Sequence, residues 1–344
     1  DFTFYDLIAR NAVCFKENEA WFEVDDNRSL TFLQYKEKVD HLACGLQKAG
    51  IKKGDRIGVL GKNSLEYFLL YGAAAALGAI LLPINWRLSA EEVGFNLNDC
   101  EPKLVFADRE FQELVQGLKA ELASVENYYN LSPEGGSFHA FDSLMDNPGE
   151  FEPEDVSSDD GFVIIHTAAV AGRPRGALLC HENIACADMH FDYLFHVTPE
   201  DVHLNLLPLF HIAGLIMATT SFHAGASNVN MSKFDAPRAV ELIEEKKVSM
   251  LFTFSPILSS ILEQNEKTGK GIKSLRLSAG LDTPETIEKF QQLTGGTFYS
   301  IYGQTETTCV ATYGAYNDRP GSAGQMLPLT LVRLVDDYDQ PVPA

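Results

Sequence analysis

The chain has 344 residues, 45% hydrophobic and 22% charged, which is enough apolar material for a large core and more than one subdomain. Its 48 acidic against 27 basic side chains give a net charge of -21. A surface of that sign repels nucleic acid and anionic membranes, argues against both as partners, and obliges a polyanionic ligand to find a local basic patch.

The six cysteines (Cys14, Cys44, Cys100, Cys180, Cys186, Cys309) form no Cys-x-x-Cys pair. Their apolar neighbours fit buried thiols of a reducing, cytoplasmic compartment better than disulfides or zinc. No secretory leader is recognisable. The longest uncharged run, 67–86, is broken by Gly72, Gly78 and Pro83, so it reads as a buried helix followed by a strand and not as a membrane span. A homo-oligomer is compatible with this composition.

Residues 1–50 read as helices around a small hairpin, with strands 20–24 and 29–32 flanking the turn at 25–28 and a helix over 35–49 closed by Gly50. Strands are expected at 56–60, 79–84 and 103–107, and helices at 64–77, capped by Asn63 or Ser64, and at 88–97. The acidic stretch 150–160 reads as a solvated linker. Apolar arms at 162–165 and 177–180 then frame a hairpin. Beyond it strands are expected at 202–207, 226–229, 249–253, 275–278 and 297–301. They alternate with helices at 212–223, 236–246, 256–264 and 284–293. A last strand is expected at 331–335. This rhythm predicts an α/β protein: two stacked αβα-type layers with largely parallel sheets plus the start of a smaller β-barrel-like subdomain. The expected division is 1–160, 161–325 and 326–344.

Four turns could carry chemistry. The hairpin loop, His166-Thr167-Ala168-Ala169-Val170-Ala171-Gly172-Arg173-Pro174-Arg175-Gly176, holds two glycines and two arginines between rigid arms. Glycine lets backbone N–H groups approach oxygen closely and guanidinium grips it with several donors, so the loop suits a polyphosphate; a basic surface hairpin is the alternative. It is not a Walker loop. At a strand end, where ligands bind in open α/β sheets, stands Tyr302-Gly303-Gln304-Thr305-Glu306-Thr307. It offers a ring for a base, a close backbone, a hydroxyl and a hard oxygen ligand of the kind Mg²⁺ takes beside phosphates; a capped strand end is its alternative. Pro208-Leu209-Phe210-His211 and Ser278-Ala279-Gly280-Leu281-Asp282 end two further strands. His211 either lines a pocket or caps a helix, and the second turn is either a site or a plain connection. A Gly-x-Ser-x-Gly elbow, a His-x-x-x-His pair and a dinucleotide fingerprint are all missing from the places where they would be needed.

In this order the turns resemble the adenylate-forming superfamily of acyl-CoA synthetases, adenylation domains and luciferases. Residues 165–176, continuing to His181-x-Asn183, are similar to its phosphate loop, Thr-Ser-Gly-Thr-Thr-Gly-x-Pro-Lys-Gly. Residues 302–306 match its Tyr-Gly-x-Thr-Glu, and 207–214 resemble its Leu-Pro-x-Phe-His segment. Asn85-x-Arg87-Leu88 and Gly321-Ser322-Ala323-Gly324 add to the likeness, which covers essentially the whole chain.

The resemblance implies an AMP-forming carboxylic acid–CoA ligase that uses ATP, Mg²⁺ and CoA, in fatty or other organic acid metabolism. By it, Thr167, Ala168, Ala169, Val170, Ala171, Gly172, Arg173, Arg175 and Gly176 embrace the β- and γ-phosphates. Thr305 touches the α-phosphate and Glu306 holds Mg²⁺. Tyr302, with Gly303 and Gln304, and the turn Gly280, Leu281, Asp282 flank the nucleotide. His211 borders the acyl pocket and the thiol route, with Phe254, Ser255 and Gly303 as pocket wall.

Two departures stand out. Ala168, Ala169, Val170 and Ala171 replace Ser, Gly, Thr and Thr, and Arg175 replaces Lys. Each lost hydroxyl removes a hydrogen bond of about 1 kcal/mol, so either Arg173 and backbone donors compensate or ATP binds weakly. The Gly-Glu-x-Gly-Glu stretch, the ribose-binding Thr-Gly-Asp, the hinge and the small domain with its lysine are not in the sequence, which begins with Asp1. The chain is therefore expected to be the large N-terminal part of a longer enzyme. Transfer to a carrier-protein thiol, or a non-catalytic nucleotide- or acyl-binding module, are the alternatives.

Overall fold

Short apolar runs and amphipathic helices alternate through the computed structural model, which describes residues 2–132, 135–146, 151, 153–167 and 174–342. The first half contains α1 (Phe4–Cys14), β1 (Glu19–Glu23), β2 (Ser29–Thr31), α2 (Phe32–Lys48), β3 (Arg56–Leu60), α3 (Leu65–Leu77), β4 (Ile80–Ile84), α4 (Ala90–Cys100), β5 (Leu104–Ala107), α5 (Gln112–Leu118), β6 (Asn127–Asn130), α6 (Asp142–Met145), β7 (Gly161–His166) and β8 (Gly176–Cys180). The second contains α7 (His181–Phe195), β9 (Val202–Asn205), α8 (Ile212–Ala224), β10 (Ser227–Asn230), α9 (Ala236–Lys246), β11 (Met250–Phe254), α10 (Ile257–Thr268), β12 (Leu277–Leu281), α11 (Pro284–Thr294), β13 (Thr297–Tyr302), β14 (Thr312–Ala315) and β15 (Gln325–Met326).

Two largely parallel sheets result. One has the order β6-β5-β3-β4-β7-β8, with only β8 antiparallel to its neighbour; the other has the order β15-β14-β13-β12-β11-β9-β10-β1-β2, antiparallel only at its ends. α3 is buried on every side and α8 along almost all its length. A helix apolar all round has no solvent face to offer, so both lie in the middle of the molecule. They share one core with α1, α2 and the inward faces of both sheets, where Trp21 of β1 stacks on Phe68 of α3 and Phe222 of α8 packs on Phe4, Phe32, Tyr35 and Phe68. Burial of each such ring contributes about 2–3 kcal/mol. Helices α9 to α11 cover the outer face of the second sheet, and α4 and α5 that of the first. The expected αβα layers are present and stacked, with the middle helices common to both.

Sheet membership does not follow the expected division at 160/161. The hairpin β7–β8 completes the first sheet, and β1–β2 pair with β10 in the second. Parallel pairing is long-range, and no local pattern says which sheet a strand joins. The predicted strand 331–335 is reduced to one antiparallel bridge between Val335 and Pro341. Helices α5, α6 and α7 and strands β6, β14 and β15 have no counterpart in the sequence reading. Among the described residues no helix is long and apolar enough to cross a membrane.

Deep burial also sets charge states. Asn228 donates its amide to Ala218 O (3.1 Å), which turns Oδ1 toward His203 Nδ1 at 2.9 Å. The ring must donate there, and burial holds its pKa down, from 6.5 to about 4. The unfolded ring takes up a proton near pH 6.5, whereas the native ring resists it. Stabilisation is therefore full above pH 6.5 and lost as pH falls toward 4. Urea unfolding of wild type against His203→Gln should show this as about 2–3 kcal/mol of pH-dependent difference. Parallel pH profiles for the two proteins would contradict it.

Candidate functional site

Ligands in open α/β sheets sit beyond the carboxyl ends of parallel strands. Here the ends of β4, β7, β11, β12 and β13 open on one cleft of about 1410 Å³. Its walls include Asn85, His166, Thr167, Pro174, Phe210, His211, Phe254, Leu281, Tyr302, Thr305 and Glu306.

The end of β13 is shaped by glycine. A Cβ on Gly303 would lie 2.1 Å from Cys309 O and 2.6 Å from Val310 Cα. With no side chain there, the strand turns tightly into a 3₁₀ turn, Thr305–Thr307. Gln304 N–H donates to Thr307 Oγ1 and Cys309 N–H to Gln304 O. Thr305 is buried, whereas Tyr302 and Glu306 are exposed. Among the described residues, no ion pair or hydrogen bond engages the Glu306 carboxylate. It can therefore accept a cation, and its hard oxygens suit Mg²⁺.

The neighbouring strand β12 is held as closely. Gly280 has φ 141°, and a Cβ there would lie 1.8 Å from Thr253 O. Leu281 is consequently carried to the cleft. Asp282 accepts from Thr283 N–H through Oδ1 and keeps Oδ2 buried with no hydrogen-bond partner among the described residues. Gly280, Asp282 and Ser255 are not among the cleft walls; Phe254 is.

On the facing side, Thr167 N–H donates to Arg175 O at 3.0 Å and closes the base of the hairpin. Arg175 is exposed, and no ion pair holds its guanidinium among the described residues. Strand β8, which it precedes, packs against the 305–307 turn. The expected phosphate-loop residues Ala168, Ala169, Val170, Ala171, Gly172 and Arg173 lie outside the described residues. Thr167 and Pro174, which flank them, line the same cleft as Glu306, while Arg175 and Gly176 are not among its walls.

His211 is the N-cap of α8, and its Nδ1 accepts the Ala213 N–H at 3.2 Å. In the neutral ring the proton therefore sits on Nε2. The residue is solvent-accessible, yet the imidazole is enclosed enough for desolvation to lower its pKa. It both caps a helix and lines the cleft, so the two expectations are not exclusive. Asn63 sets its place: Nδ2 donates to Leu207 O at 2.8 Å and Oδ1 accepts from Leu209 N–H at 2.7 Å. Ser64, not Asn63, caps α3, which leaves the Asn63 amide to bridge the two sheets. Asn63→Ala strands two buried backbone groups, so it should cost about 2–4 kcal/mol in urea unfolding. A change below about 0.5 kcal/mol would mean that the bridge holds nothing.

Sequence reasoning missed the wall made by Leu88, Ser89, Glu91, Glu92, Phe95 and Asn96. Its signal was the Asn85-Trp86-Arg87-Leu88 stretch after β4. Arg87 sits between the rings of Trp86, at 4.4 Å, and Phe210, at 5.8 Å. That sandwich ties this wall to the His211 segment.

A profile described as AMP-binding enzyme matches residues 8–344. The chain belongs to the AMP-binding enzyme family. This AMP-binding chain is 30% identical over 319 residues to the indoleacetate–CoA ligase of Aromatoleum aromaticum, covering 90% of this chain and 62% of that protein. It is 30% identical over 334 residues to the fatty acid–[acyl-carrier-protein] ligase ScoC of Streptomyces coeruleorubidus, covering 92% of this chain and 63% of that one. It thus spans less than two thirds of either relative. A crystal structure assigned provisionally to a long-chain-fatty-acid CoA ligase of Rhodopseudomonas palustris superposes with a TM-score of 0.94 at 40% identity, covering 100% of this chain and 86% of that one. The α/β architecture of the AMP-binding family is therefore the architecture of this chain.

Proposed function

We propose that this AMP-binding chain forms the nucleotide- and acid-binding part of an AMP-forming carboxylic acid–CoA ligase. The observation that carries the reading is that the two flanks of the arginine hairpin and Glu306 line one cleft, with β8 packed on the 305–307 turn. A carboxylate is a poor electrophile because its leaving group would be oxide. Its oxygen attacks the α-phosphorus of ATP, the bond to pyrophosphate breaks, and an acyl-adenylate forms. A thiol then attacks the acyl carbon and AMP leaves. Both steps depend on positioning and charge stabilisation more than on covalent help.

In this reading Arg175, with the loop it closes, draws the triphosphate into an otherwise acidic protein. The Thr305 hydroxyl hydrogen-bonds the α-phosphate. Glu306 and the phosphates would hold Mg²⁺, whose contribution when bound is to neutralise triphosphate charge. Tyr302 and Leu281 flank the adenine. His211, neutral near pH 7, borders the junction of acyl group and thiol. Phe210, Ile212, Ala213, Phe254 and Ile301 give an uncharged wall beside it, which favours a monocarboxylic acid with an apolar body. The relatives, one acting on indoleacetate and the other on a fatty acid, fit that class.

The test is acid-dependent exchange of labelled pyrophosphate into ATP by the full-length protein. Exchange is expected with aryl-acetic and fatty acids and not with dicarboxylic acids. Silence across a broad acid panel would favour a binding module. Thioester formation with free CoA decides between CoA and a carrier-protein thiol, the acceptor named for ScoC.

A further inference from the structure

His166 is the last residue of β7, and its side chain is only 6% exposed. Phe95 of α4 packs edge-on against the ring, with centroids 6.3 Å apart. Nε2 lies 3.0 Å from Asp99 Oδ2, while Nδ1 is buried with no hydrogen-bond partner among the described residues. Cys100, the final residue of α4, brings a thiol into the same place. One ligand atom from each of Asp99, Cys100 and His166 lies within 4.8 Å of the other two.

Both supports are rigid. Arg56 Nε donates to Cys100 O at 2.6 Å and its Nη2 to Glu101 O at 3.0 Å, which pins the end of α4. The chain then leaves the helix at Glu101 with φ 48°. β7 is held between β4 and β8. An imidazole–carboxylate pair alone would need no third group. A thiol added to it makes a nitrogen, sulfur and oxygen donor set, which suits borderline-soft divalent ions and not Mg²⁺ or Ca²⁺.

We propose that Asp99, Cys100 and His166 form a binding site for Zn²⁺ or a similar late first-row divalent ion, with three protein ligands and a position left for water. Bond lengths of about 2.0–2.3 Å set ligand atoms about 3.3–3.8 Å apart in a tetrahedral site. Closing from 4.8 Å needs only a side-chain adjustment by Cys100 or by the partly exposed Asp99. The ion would join the root of the 167–175 loop to α4, which walls the other side of the cleft. His166 lines the cleft, but none of the three residues is assigned a step in the proposed reaction, so metal binding can be read without the ligase activity.

The experiment uses tag-free full-length protein, stripped with chelator and titrated with Co²⁺ and then Zn²⁺. One equivalent of Co²⁺ should produce a thiolate-to-metal charge-transfer band in the near ultraviolet with four-coordinate ligand-field bands, and Zn²⁺ should displace both. Zn²⁺ should also raise the unfolding temperature, as a ligand bound only by the native state does. Cys100→Ser should abolish the charge-transfer band, and both it and His166→Gln should weaken Zn²⁺ binding by at least about tenfold. Cys186→Ser, on α7, should change nothing. If Cys100→Ser does not fold, His166→Gln carries the test alone. A missing band, a band that survives Cys100→Ser, or full Zn²⁺ affinity in His166→Gln would overturn the assignment.

Discussion

Glu306→Gln is expected to lower acid-dependent ATP–pyrophosphate exchange by about 100- to 1,000-fold, the usual cost of removing one electrostatic contact to a transition state. Gln keeps the size and one carbonyl oxygen but loses the charge that would hold a cation against the phosphates. The fold should not notice. Glu306 is exposed at the cleft, and substitutions at such positions usually stay within about 0.5 kcal/mol. The measurement is therefore paired: exchange rate and urea midpoint on the same preparation. An exchange rate unchanged by the substitution would remove Glu306 from the proposed role. A large loss of stability would instead make it a structural residue.

Gly303→Ala is expected to fail in the opposite way, through backbone and not charge. The added methyl would lie 2.1 Å from Cys309 O and 2.6 Å from Val310 Cα. Both neighbours are main chain, so no side chain can swing aside. Either β13 parts from the segment behind it or the 305–307 turn moves. The expected cost is about 2–4 kcal/mol, at the upper end for overpacking, together with loss of exchange activity. Gly117→Ala, in α5 with nothing within 4 Å of the new methyl, is the control. It should be neutral or stabilising by about 0.5–1 kcal/mol. Equal unfolding midpoints for the two variants would show that Gly303 is not needed for close approach.

Much of the architecture could be read from local pattern. The helix Pro284–Thr294 is announced by Thr283 and Pro284 and stopped by Gly295. The strand Arg56–Leu60 and the helix Ala236–Lys246 appear at the predicted limits, because capping, periodicity and glycine stops act within a few residues. Helix α7 was not read. It begins directly after β8, and its capping side chain is Asn183 reaching back to Cys180 N–H, where no Ser, Thr, Asp or Asn precedes the helix. The strand expected at 331–335 fails because its apolar residues face solvent; Leu331 is 97% exposed.

By itself the sequence determined the chemistry of the turns: an acidic residue after a glycine-bearing strand end, a cationic loop between apolar arms, and a histidine opening an apolar helix. Each follows from residue identity and short-range geometry. Only the tertiary structure decided which turns meet. Parallel strands carry no local record of their neighbours, and burying both faces of α3 and α8 requires a sheet on each side. That sandwich brings the ends of β4 and β7 opposite those of β11, β12 and β13. The same packing set Asp99 and Cys100 beside His166, a meeting of distant residues that short-range spacing does not encode.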